Sequence, residues 1–233
     1  MDQIKELKRK SAEKAVQYIN SGMVIGLGSG STTEFAIQKI AELINQGKLQ
    51  KIMAIPSSNR TEKIARKYKI PLTDFQVHQH IDLTIDGADE VDPHLNLIKG
   101  GGGALLREKV LIQSSKKVII IVDESKLSPA LGNKWAVPVE VLPFAWPVAA
   151  DYLRSLGAEV SIRQTPAGKE YITDQQNFIL DANFGIIFQA EELALKMSQR
   201  AGILEHGLFL ELATDVIVAG QKGINHLKRF DVL

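Results

Sequence analysis

Residues that could bind or transform a ligand are concentrated in a few short stretches of the sequence. Each stretch combines glycine, hydroxyl, carboxylate or lysine groups and stands at or soon after the end of an apolar run typical of a buried strand. The stretches are GLGSGSTT (26–33), PSSNRT (56–61), DGADEVDP (86–93), KGGGGALLREK (99–109) and VDESK (122–126). Groups that bind anions and groups that transfer protons therefore recur together along the chain.

The stretch GLGSGSTT is typical of an anion site at a strand-to-helix turn. Its glycines free backbone N–H groups, its hydroxyls add donors, and the positive end of the next helix favours negative charge. A dinucleotide fingerprint would need a glycine in place of Ser31 and an acid after the next strand, which instead ends in IPSS (55–58). A Walker A loop would need a Gly-Lys pair. We expect a phosphate or sugar phosphate here, with a plain tight turn and helix cap as the alternative.

Four acidic residues crowd the stretch DGADEVDP, namely Asp86, Asp89, Glu90 and Asp92. Such a cluster could hold Mg²⁺ with a nucleotide, or it could transfer protons at substrate hydroxyls. A solvated turn with capping carboxylates is a fair interpretation of Glu90 and Asp92. It suits Asp86 less well, because this carboxylate directly ends an apolar strand.

Four consecutive glycines, Gly100 to Gly103, stand between Lys99 and a predicted helix that carries Glu108. A glycine run costs conformational entropy on folding, so it indicates close approach of the backbone to another group or several positive φ angles. With the helix beginning near Gly103, Glu108 lies in its second turn, where the helix dipole favours an ionised carboxylate. Lys99 and Glu108 could then face one bound molecule, with the carboxylate as a base. The alternative for the REK trio (107–109) is a solvated helix face.

Strands and helices alternate through the first 130 residues, which predicts an α/β fold with a Rossmann-like, mostly parallel sheet and helices on both faces. The predicted strands are MVIGLG (23–28), KIMAIPSS (51–58), HIDLTIDGADE (80–90) and KVIIIVD (117–123). Ligands of such sheets bind beyond the carboxyl ends of the strands. The reactive stretches should therefore converge on one edge of the sheet.

The pattern changes near Leu127, where a smaller α/β domain is predicted. Its element order is β-α-β-β-α-β, the split βαβ or ferredoxin-like pattern. The final strand is predicted at ATDVIVAG (213–220), and GLFLELATDVIVAG (207–220) as the return to the first sheet. We predict a catalytic domain of residues 1–130 and 207–233, and a smaller domain of residues 131–206 that serves oligomerisation or closure of the active site.

The composition argues against several classes of protein. The 233 residues are 45% hydrophobic and 24% charged, which is ordinary for a globular protein, and the net charge of +1 argues against nucleic acid as a partner. The absence of cysteine excludes disulfides and Cys-based metal sites, and the five histidines do not have metal-ligand spacing. No apolar run is long enough to span a membrane, and no signal-peptide pattern is present. We expect no membrane partner and a cytoplasmic location, with a removed organelle transit peptide left open.

Together, GLGSGSTT, DGADEVD, KGGGGALLREK and DESKL, followed by GLF and VIVAG, resemble the motifs of ribose-5-phosphate isomerases of type A. The resemblance covers nearly the whole chain, with the motifs in the family's order and spacing. It implies interconversion of D-ribose 5-phosphate and D-ribulose 5-phosphate in the pentose phosphate pathway, and in the Calvin cycle of photosynthetic cells. It also implies a small sugar phosphate as ligand, no metal or organic cofactor, and a homo-oligomer, with a dimer favoured.

The resemblance also implies roles for individual residues. Glu108 matches the catalytic base, and Asp86, Asp89 and Lys99 match the remaining acids and the lysine of the active site. The substrate-binding positions match Ser29, Gly30, Ser31, Thr32, Gly87, Ala88, Gly100, Gly101, Gly102, Lys126 and, more loosely, Lys8 near the phosphate.

Aldose–ketose isomerisation moves one proton between adjacent carbons through an enediol(ate), which a single carboxylate on one face of the substrate can do. Lys99 and the glycine amides are expected to stabilise the oxygen that becomes anionic. Asp86 is the first choice, and Asp89 the second, for assisting opening of the sugar ring. GLGSGSTT is the better candidate for the phosphate end, and the glycine tract for the reacting carbons.

Three departures from the family pattern alter no catalytic side chain: Gly103 where alanine is common, Leu106 where threonine is common, and the segment GLFLELATD. The main alternative function is a non-catalytic sugar-phosphate sensor domain, against which the pairing of Lys99 with Glu108 and the lack of a helix-turn-helix argue. An aminosugar-phosphate deaminase or a CoA transferase would share a related fold, but a deaminase should need an acid, often a histidine, that these motifs lack. An NAD-dependent dehydrogenase would need the missing acidic partner.

Overall fold

The computed structural model describes residues 2–229, so residue 1 and residues 230–233 of the predicted larger domain lie outside the described residues. The helices are α1 (Asp2–Val16), α2 (Ser31–Asn45), α3 (Asn59–Lys67), α4 (Leu105–Gln113), α5 (Trp146–Ser155) and α6 (Ala190–Ser198). Single-turn 3₁₀ helices cover Glu124–Lys126 and Pro143–Ala145. The strands are β1 (Val24–Leu27), β2 (Met53–Pro56), β3 (Ile81–Asp86), β4 (Glu90–Val91), β5 (Leu97–Ile98), β6 (Ser115–Asp123), β7 (Val137–Val141), β8 (Glu159–Ile162), β9 (Phe178–Asn183), β10 (Ile203–His206), β11 (Leu208–Phe209), β12 (Asp215–Gly220) and β13 (Gly223–Lys228). None of the helices within residues 2–229 has both the length and the apolar character needed to cross a membrane.

The first sheet contains six strands in the order β13-β12-β6-β3-β1-β2. Five of these strands are parallel to one another, namely β1, β2, β3, β6 and β12, and Ile25 lies opposite Ala54 and Ile120 opposite Val216. The sixth strand, β13, runs antiparallel to β12. Residues 118–123 of β6 and 215–219 of β12 are buried without a break. Unbroken burial accounts for the apolar runs VIIIV and VIVA within these ranges, because central parallel strands are covered on both faces.

Helices cover both faces of this sheet. Successive side chains of a strand point to opposite faces, and the neighbours Ala54 and Ile55 of β2 pack in different clusters. Ala54 shares one cluster with Ala12 of α1 and Ile37 of α2. Ile55 packs in another cluster with Leu111 of α4.

Local signals explain where the helices after β1 and β2 begin. Gly30 precedes α2 with φ of +112°, and the buried Ile37 and Ile40 lie on one face of that helix. Ser58 caps α3, because its Oγ accepts a hydrogen bond from the N–H of Thr61 at 3.0 Å. The helices therefore start four and three residues after the ends of β1 and β2.

The second sheet is antiparallel, with the order β10-β7-β9-β8. Helix α5 joins β7 to β8, and α6 joins β9 to β10, which is the split βαβ arrangement. Its core includes Val139, Leu153, Leu180 and Met197, all fully buried. The predicted fold class, a mostly parallel sheet with helices plus a smaller split-βαβ domain, is confirmed.

Contacts divide the chain into two compact units. The first unit comprises residues 1–88, 107–127 and 211–233, and the second comprises residues 89–106 and 128–210. Lys99 and the glycine tract, predicted in the larger domain, thus cluster with the second unit, whereas Glu108 belongs to the first. A short third sheet, in the order β11-β5-β4, lies in that unit and pairs Ile98 with both Leu208 and Glu90.

Two strand predictions are wrong. ATDVIVAG is strand β12 but not the final strand, because β13 follows it, and the strand that closes the smaller sheet is instead Ile203–His206. Four of the six residues of β13 are exposed and the other two are partly buried, so this strand lacks the apolar pattern of a buried strand. The strands β4, β5 and β11 have two residues each, too short for any periodic signal.

Candidate active site

The carboxyl ends of the parallel strands bring several predicted site residues to one edge of the first sheet. The N–H of Gly28, just after β1, donates to the carbonyl of Ile85 in β3 at 3.0 Å. The N–H of Ser57, just after β2, donates to the carbonyl of Leu27 at 2.9 Å. The loops after β1, β2 and β3 therefore begin side by side, as expected for ligand-binding loops in parallel sheets.

Asp86 is fully buried at the end of β3. Its Oδ1 accepts hydrogen bonds from the N–H groups of Ser29, at 3.1 Å, and Gly87, at 2.7 Å. A Cβ atom placed on Gly28 would lie 2.0 Å from the carboxyl carbon of Asp86, so only glycine permits this approach. The carboxylate is thus held against the turn between β1 and α2.

A cluster of hydroxyls surrounds Ser29. Its Oγ lies 2.8 Å from the Oγ atoms of both Ser57 and Ser58, and 3.1 Å from Oγ1 of Thr61. The Thr61 hydroxyl also donates to the carbonyl of Gly28 at 3.0 Å. Ser57, Ser58 and Thr61 belong to the stretch PSSNRT, but the sequence predicts no site role for them individually. Their hydroxyls connect the loops after β1 and β2.

Lys8 of α1 reaches the first residue of α2. Its Nζ donates to Oγ of Ser31 at 3.0 Å. Both residues line a cavity of about 500 Å³ together with Lys5, Glu34 and Phe35. A lysine beside a helix N-terminus favours an anion, so the structure brings these two predicted site residues together in a suitable setting.

Glu108 lies in the first turn of α4, not in the second turn that was predicted, because the helix begins at Leu105. Its side chain and that of Lys109 are buried, at 4% and 5% exposure. Arg107 donates from Nη1 to Oδ1 of Asn59 at 3.0 Å. The alternative of a solvated helix face is therefore wrong for Glu108 and Lys109, whereas Arg107 is partly exposed.

Lys126 ends the 3₁₀ helix that follows β6. Asp123 holds this turn in place. Its Oδ1 accepts two hydrogen bonds from Ser125, one from the N–H at 3.0 Å and one from the side-chain hydroxyl. Lys126 therefore lies three residues after the carboxyl end of β6, the fourth parallel strand of the first unit in chain order.

In the second unit, Asp89 and the glycine tract meet directly. Oδ2 of Asp89 accepts a hydrogen bond from the N–H of Gly101 at 2.7 Å. The N–H of Asp89 donates to the carbonyl of Ile98 at 2.9 Å. Two residues predicted for the site are thus joined, and the acid has a fixed orientation.

Lys99 is buried, with 2% of its surface exposed. Its Nζ lies 5.4 Å from the centre of the Phe209 ring, within the range of a cation–π contact. Its N–H donates to the carbonyl of Gly207 at 2.9 Å. The short third sheet therefore positions this lysine immediately before the glycines.

The glycine tract forms a turn. Gly100 and Gly103 have φ of +102° and +78°, and the N–H of Gly103 donates to the carbonyl of Gly100 at 2.9 Å. A Cβ on Gly103 would lie 2.4 Å from the hydroxyl of Tyr171. Positive φ and close approach, the two reasons expected for a glycine run, both occur here.

Arg163 and Tyr171 contact this turn, and neither was predicted. Nη1 of Arg163 donates to the carbonyls of Gly100, at 2.7 Å, and Gly101, at 3.1 Å. The Tyr171 hydroxyl donates to the carbonyl of Gly102 at 3.2 Å. Burial raises the pKa of the Tyr171 hydroxyl, so this group stays protonated as a donor. Both residues lie in ordinary strand and loop sequence, which carries no motif.

The two remaining acids of DGADEVDP, Glu90 and Asp92, accept hydrogen bonds from backbone N–H groups of nearby loops. Glu90 is fully buried and accepts hydrogen bonds from the N–H groups of Gly132, at 3.0 Å, and Lys134, at 3.1 Å, so the solvated-turn interpretation is wrong for it. Asp92 does cap a turn, because its Oδ1 accepts from the N–H groups of His94 and Asn96. Among residues 2–229, no group of three or more His, Cys, Asp or Glu side chains could hold a metal ion.

Comparison with known sequences identifies relatives along nearly the whole chain. A family model described as ribose 5-phosphate isomerase A (phosphoriboisomerase A) matches residues 53–223. The chain is 59% identical to a ribose-5-phosphate isomerase A of Desulfatibacillum aliphaticivorans, over 95% of this chain and 96% of that protein. It is 50% identical to a ribose-5-phosphate isomerase A of Chloroflexus aurantiacus, over 96% and 94% of the two chains.

Solved structures give the same result. A D-ribose-5-phosphate isomerase in complex with phospho-erythronic acid matches with a TM-score of 0.95 and 37% identity, covering 97% of this chain and 99% of that one. The ribose 5-phosphate isomerase of Plasmodium falciparum matches with a TM-score of 0.93 and 40% identity, covering 96% and 98%. This chain therefore belongs to the ribose 5-phosphate isomerase A family.

Proposed function

We propose that this chain interconverts D-ribose 5-phosphate and D-ribulose 5-phosphate, and that it acts in the non-oxidative pentose phosphate pathway, or in the Calvin cycle of a photosynthetic cell. The observation that carries the reaction is the 59% identity to a ribose-5-phosphate isomerase A over 95% of the chain. A ligand-bound relative holds phospho-erythronic acid, a phosphorylated sugar acid. The bound molecule supports a sugar phosphate as the ligand class of this chain.

Glu108 is the proposed base that moves the proton between the two reacting carbons through an enediol(ate). Its carboxylate belongs to the first turn of α4, where the helix dipole favours the ionised form. It is also almost fully buried, and exclusion of water strengthens electrostatic interactions with a bound substrate. One carboxylate can both remove and return the proton, because the reaction only relocates it.

Asp86 is the proposed group for assisting ring opening, with Asp89 as the second choice. Ring opening needs a proton transferred at a ring or hydroxyl oxygen, which a carboxyl group can do. Asp86 is held by two backbone N–H groups at one oxygen, Oδ1. Asp89 is held by one such group, from Gly101.

Lys99 and part of the glycine tract are proposed to stabilise the anionic oxygen of the enediolate. Hydrogen-bond donors that are already oriented lower such a barrier without reorganisation. The N–H of Gly101 donates to Asp89 and that of Gly103 to Gly100. The amide contribution is assigned to Gly102, and the positive charge to the buried ammonium group of Lys99.

The phosphate end is assigned to the turn from Ser29 to Thr32, with Lys8 and Lys126 as the accompanying cations. The N-terminus of α2 and the hydroxyl of Ser31 supply donors, and Lys8 already bonds that hydroxyl. Binding energy at the phosphate would orient the carbons that react. Gly87 and Ala88 follow Asp86 directly and are included as substrate contacts.

One assay tests the proposed function directly. Purified protein is incubated with ribose 5-phosphate in the presence of EDTA, and formation of ribulose 5-phosphate is followed. We expect turnover without added metal or organic cofactor. Binding of ribose 5-phosphate without turnover would contradict the isomerase assignment and favour a sugar-phosphate sensor.

We further propose a cytoplasmic homo-oligomer, with a dimer favoured, in which the second unit supplies an interface. Phe144 is 97% exposed and Phe188 is 88% exposed, and large exposed apolar side chains favour association. Leu142 and Leu204 of the same unit are each 41% exposed. Sedimentation of the wild type and of Phe144→Ser is the test. A monomeric wild type would contradict the oligomer. Closure of the active site would then remain as the role of this unit.

A further inference from the structure

Arg163, the residue directly after β8, forms an ion pair with Asp181 of the neighbouring strand β9. Nε of Arg163 donates to Oδ2 of Asp181 at 2.9 Å, and Nη2 donates to Oδ1. Two parallel bonds of this kind hold a guanidinium in one plane and one direction. The Arg163 side chain is only 14% exposed, so its fork is confined by packing as well as by Asp181.

The remaining nitrogen of this fork holds two consecutive peptide groups of the glycine tract. Nη1 of Arg163 donates to the carbonyls of Gly100 and Gly101. In a planar trans peptide, the carbonyl of one residue and the N–H of the next point in opposite directions, and the peptide bonds described here are trans. The bonds to Arg163 therefore turn the N–H groups of Gly101 and Gly102 away from the guanidinium.

One of these two N–H groups has an acceptor within the described residues and the other has none. That of Gly101 donates to Oδ2 of Asp89 at 2.7 Å. That of Gly102 donates to no protein acceptor within residues 2–229. The next carbonyl, that of Gly102, accepts from the Tyr171 hydroxyl at 3.2 Å, which restrains the third peptide of the turn.

We propose that Arg163, oriented by Asp181, is a positioning residue for the isomerase reaction. By holding the carbonyls of Gly100 and Gly101, it orients Asp89 through the Gly101 amide and directs the Gly102 amide to the oxygen that becomes anionic. Glycine carries no side chain to restrict its backbone, so hydrogen bonds from residues outside the tract, those of Arg163 among them, are needed to hold this turn in one conformation. The inference rests on the proposed isomerase function and concerns the turnover step rather than phosphate binding.

The proposal is tested by steady-state kinetics of Arg163→Ala with ribose 5-phosphate. Misplacement of reacting groups by about 1 Å can cost about 100-fold in rate, so we expect kcat to fall about 10- to 100-fold while KM changes less than about threefold. Guanidinium ion at millimolar concentration should restore part of kcat, because it can occupy the vacated position beside Asp181. Arg200→Ala is the matched control, since Arg200 stacks on the ring of Tyr152 in the same unit, and it should leave kcat unchanged.

Circular dichroism and thermal unfolding establish whether Arg163→Ala is folded. If it is not, Asp181→Asn provides the second test, because it keeps the guanidinium but weakens its fork, and a smaller fall in kcat at constant KM is expected. A folded variant of either kind with wild-type kcat, or a loss that appears only in KM, would overturn the positioning role. Absence of turnover in the wild type would instead overturn the proposed function itself.

Discussion

The N–H of Gly101 donates a hydrogen bond to the carboxylate of Asp89 at 2.7 Å. While this bond is present, the amide is not available to a substrate oxygen. The N–H of Gly103 is also engaged, with the carbonyl of Gly100. A glycine tract that suggests four equivalent amide donors from its sequence therefore has two that serve the turn itself. The other two amides are those of Gly100 and Gly102, and in the proposed mechanism Lys99 and the Gly102 amide stabilise the anionic oxygen.

Glu108→Gln should abolish most isomerisation while keeping sugar-phosphate binding. The amide is isosteric but cannot accept the proton, and a positioned general base contributes about 10²–10⁴-fold to rate. The measurements are kcat, the dissociation constant for ribose 5-phosphate, and incorporation of solvent deuterium at the reacting carbon. Glu62→Gln is the matched control, because Glu62 pairs with Arg66 on the exposed surface of α3. Near wild-type kcat in Glu108→Gln would contradict the assignment of the base.

Lys99→Ala should lower kcat by about 10²–10³-fold, the usual cost of removing a donor to a developing oxyanion. The measurement is the division of the effect between kcat and KM. A rise in KM alone would show Lys99 to be a binding residue. Lys196→Ala in the same unit is the control, because Lys196 pairs with Glu192 within the exposed surface of α6 and should behave as wild type.

Gly28→Ala should destabilise the first unit and displace Asp86. The new methyl group would lie 2.0 Å from the Asp86 carboxyl carbon, and overpacking of this kind costs about 1–3 kcal/mol. Thermal or denaturant unfolding gives the loss of stability. Gly102→Ala is the comparison for stability only, because a Cβ there has no neighbour within 4 Å. Equal unfolding midpoints for the two variants would mean that the strand end adjusts without strain.

Asp215→Asn should lower stability near neutral pH and change its pH dependence. Burial acts to raise the pKa of the Asp215 carboxyl, but hydrogen bonds from Thr214 and His226 and the charge of Lys117 outweigh it and hold the pKa below its usual value. Because the folded pKa is the lower one, the carboxylate stabilises the fold above its unfolded pKa of about 3.9. That stabilisation is lost as the pH falls through the unfolded and then the folded pKa.

Unfolding of wild type and Asp215→Asn from about pH 7 to pH 3 tests this expectation. The variant should be less stable by about 1–3 kcal/mol at pH 7, as is common when a hydrogen bond to a charged group is removed. The difference should shrink below about pH 4. A difference that stays constant over the whole range would show that Asp215 does not contribute through its ionised form. Asp151→Asn, at an exposed position of α5, controls for the loss of one surface charge.

The fold was largely predictable because its central strands are buried on both faces. The run VIIIV of β6 has no polar residue, and such runs between helical patterns have few interpretations other than a parallel sheet. The positions of Ser29 and Asp86 were predictable for the same reason, since ligand loops follow the carboxyl ends of these strands. Strand β13 was missed because it is exposed along most of its length.

The part of the site that could not be predicted depends on long-range hydrogen bonds to backbone carbonyls. Arg163 is 63 residues from Gly100 in sequence, and Tyr171 is 69 residues from Gly102. Every residue has a carbonyl, so such a contact leaves no distinctive residue type at its acceptor. The burial of Glu90, whose carboxylate accepts two backbone N–H groups from a loop about 40 residues away, was hidden in the same way.

The strand order has a consequence for how this family can vary. Strands β6 and β12 are parallel neighbours, with Ile120 opposite Val216, so everything between them is topologically a single crossover connection. The strands that open and close the smaller sheet, β7 and β10, are also neighbours, with Val139 opposite His206. A segment whose two ends lie side by side can lengthen, shorten or be exchanged during evolution without changing the strand order of the parallel sheet. The smaller sheet is in this sense a module carried on one connection of an otherwise ordinary α/β fold.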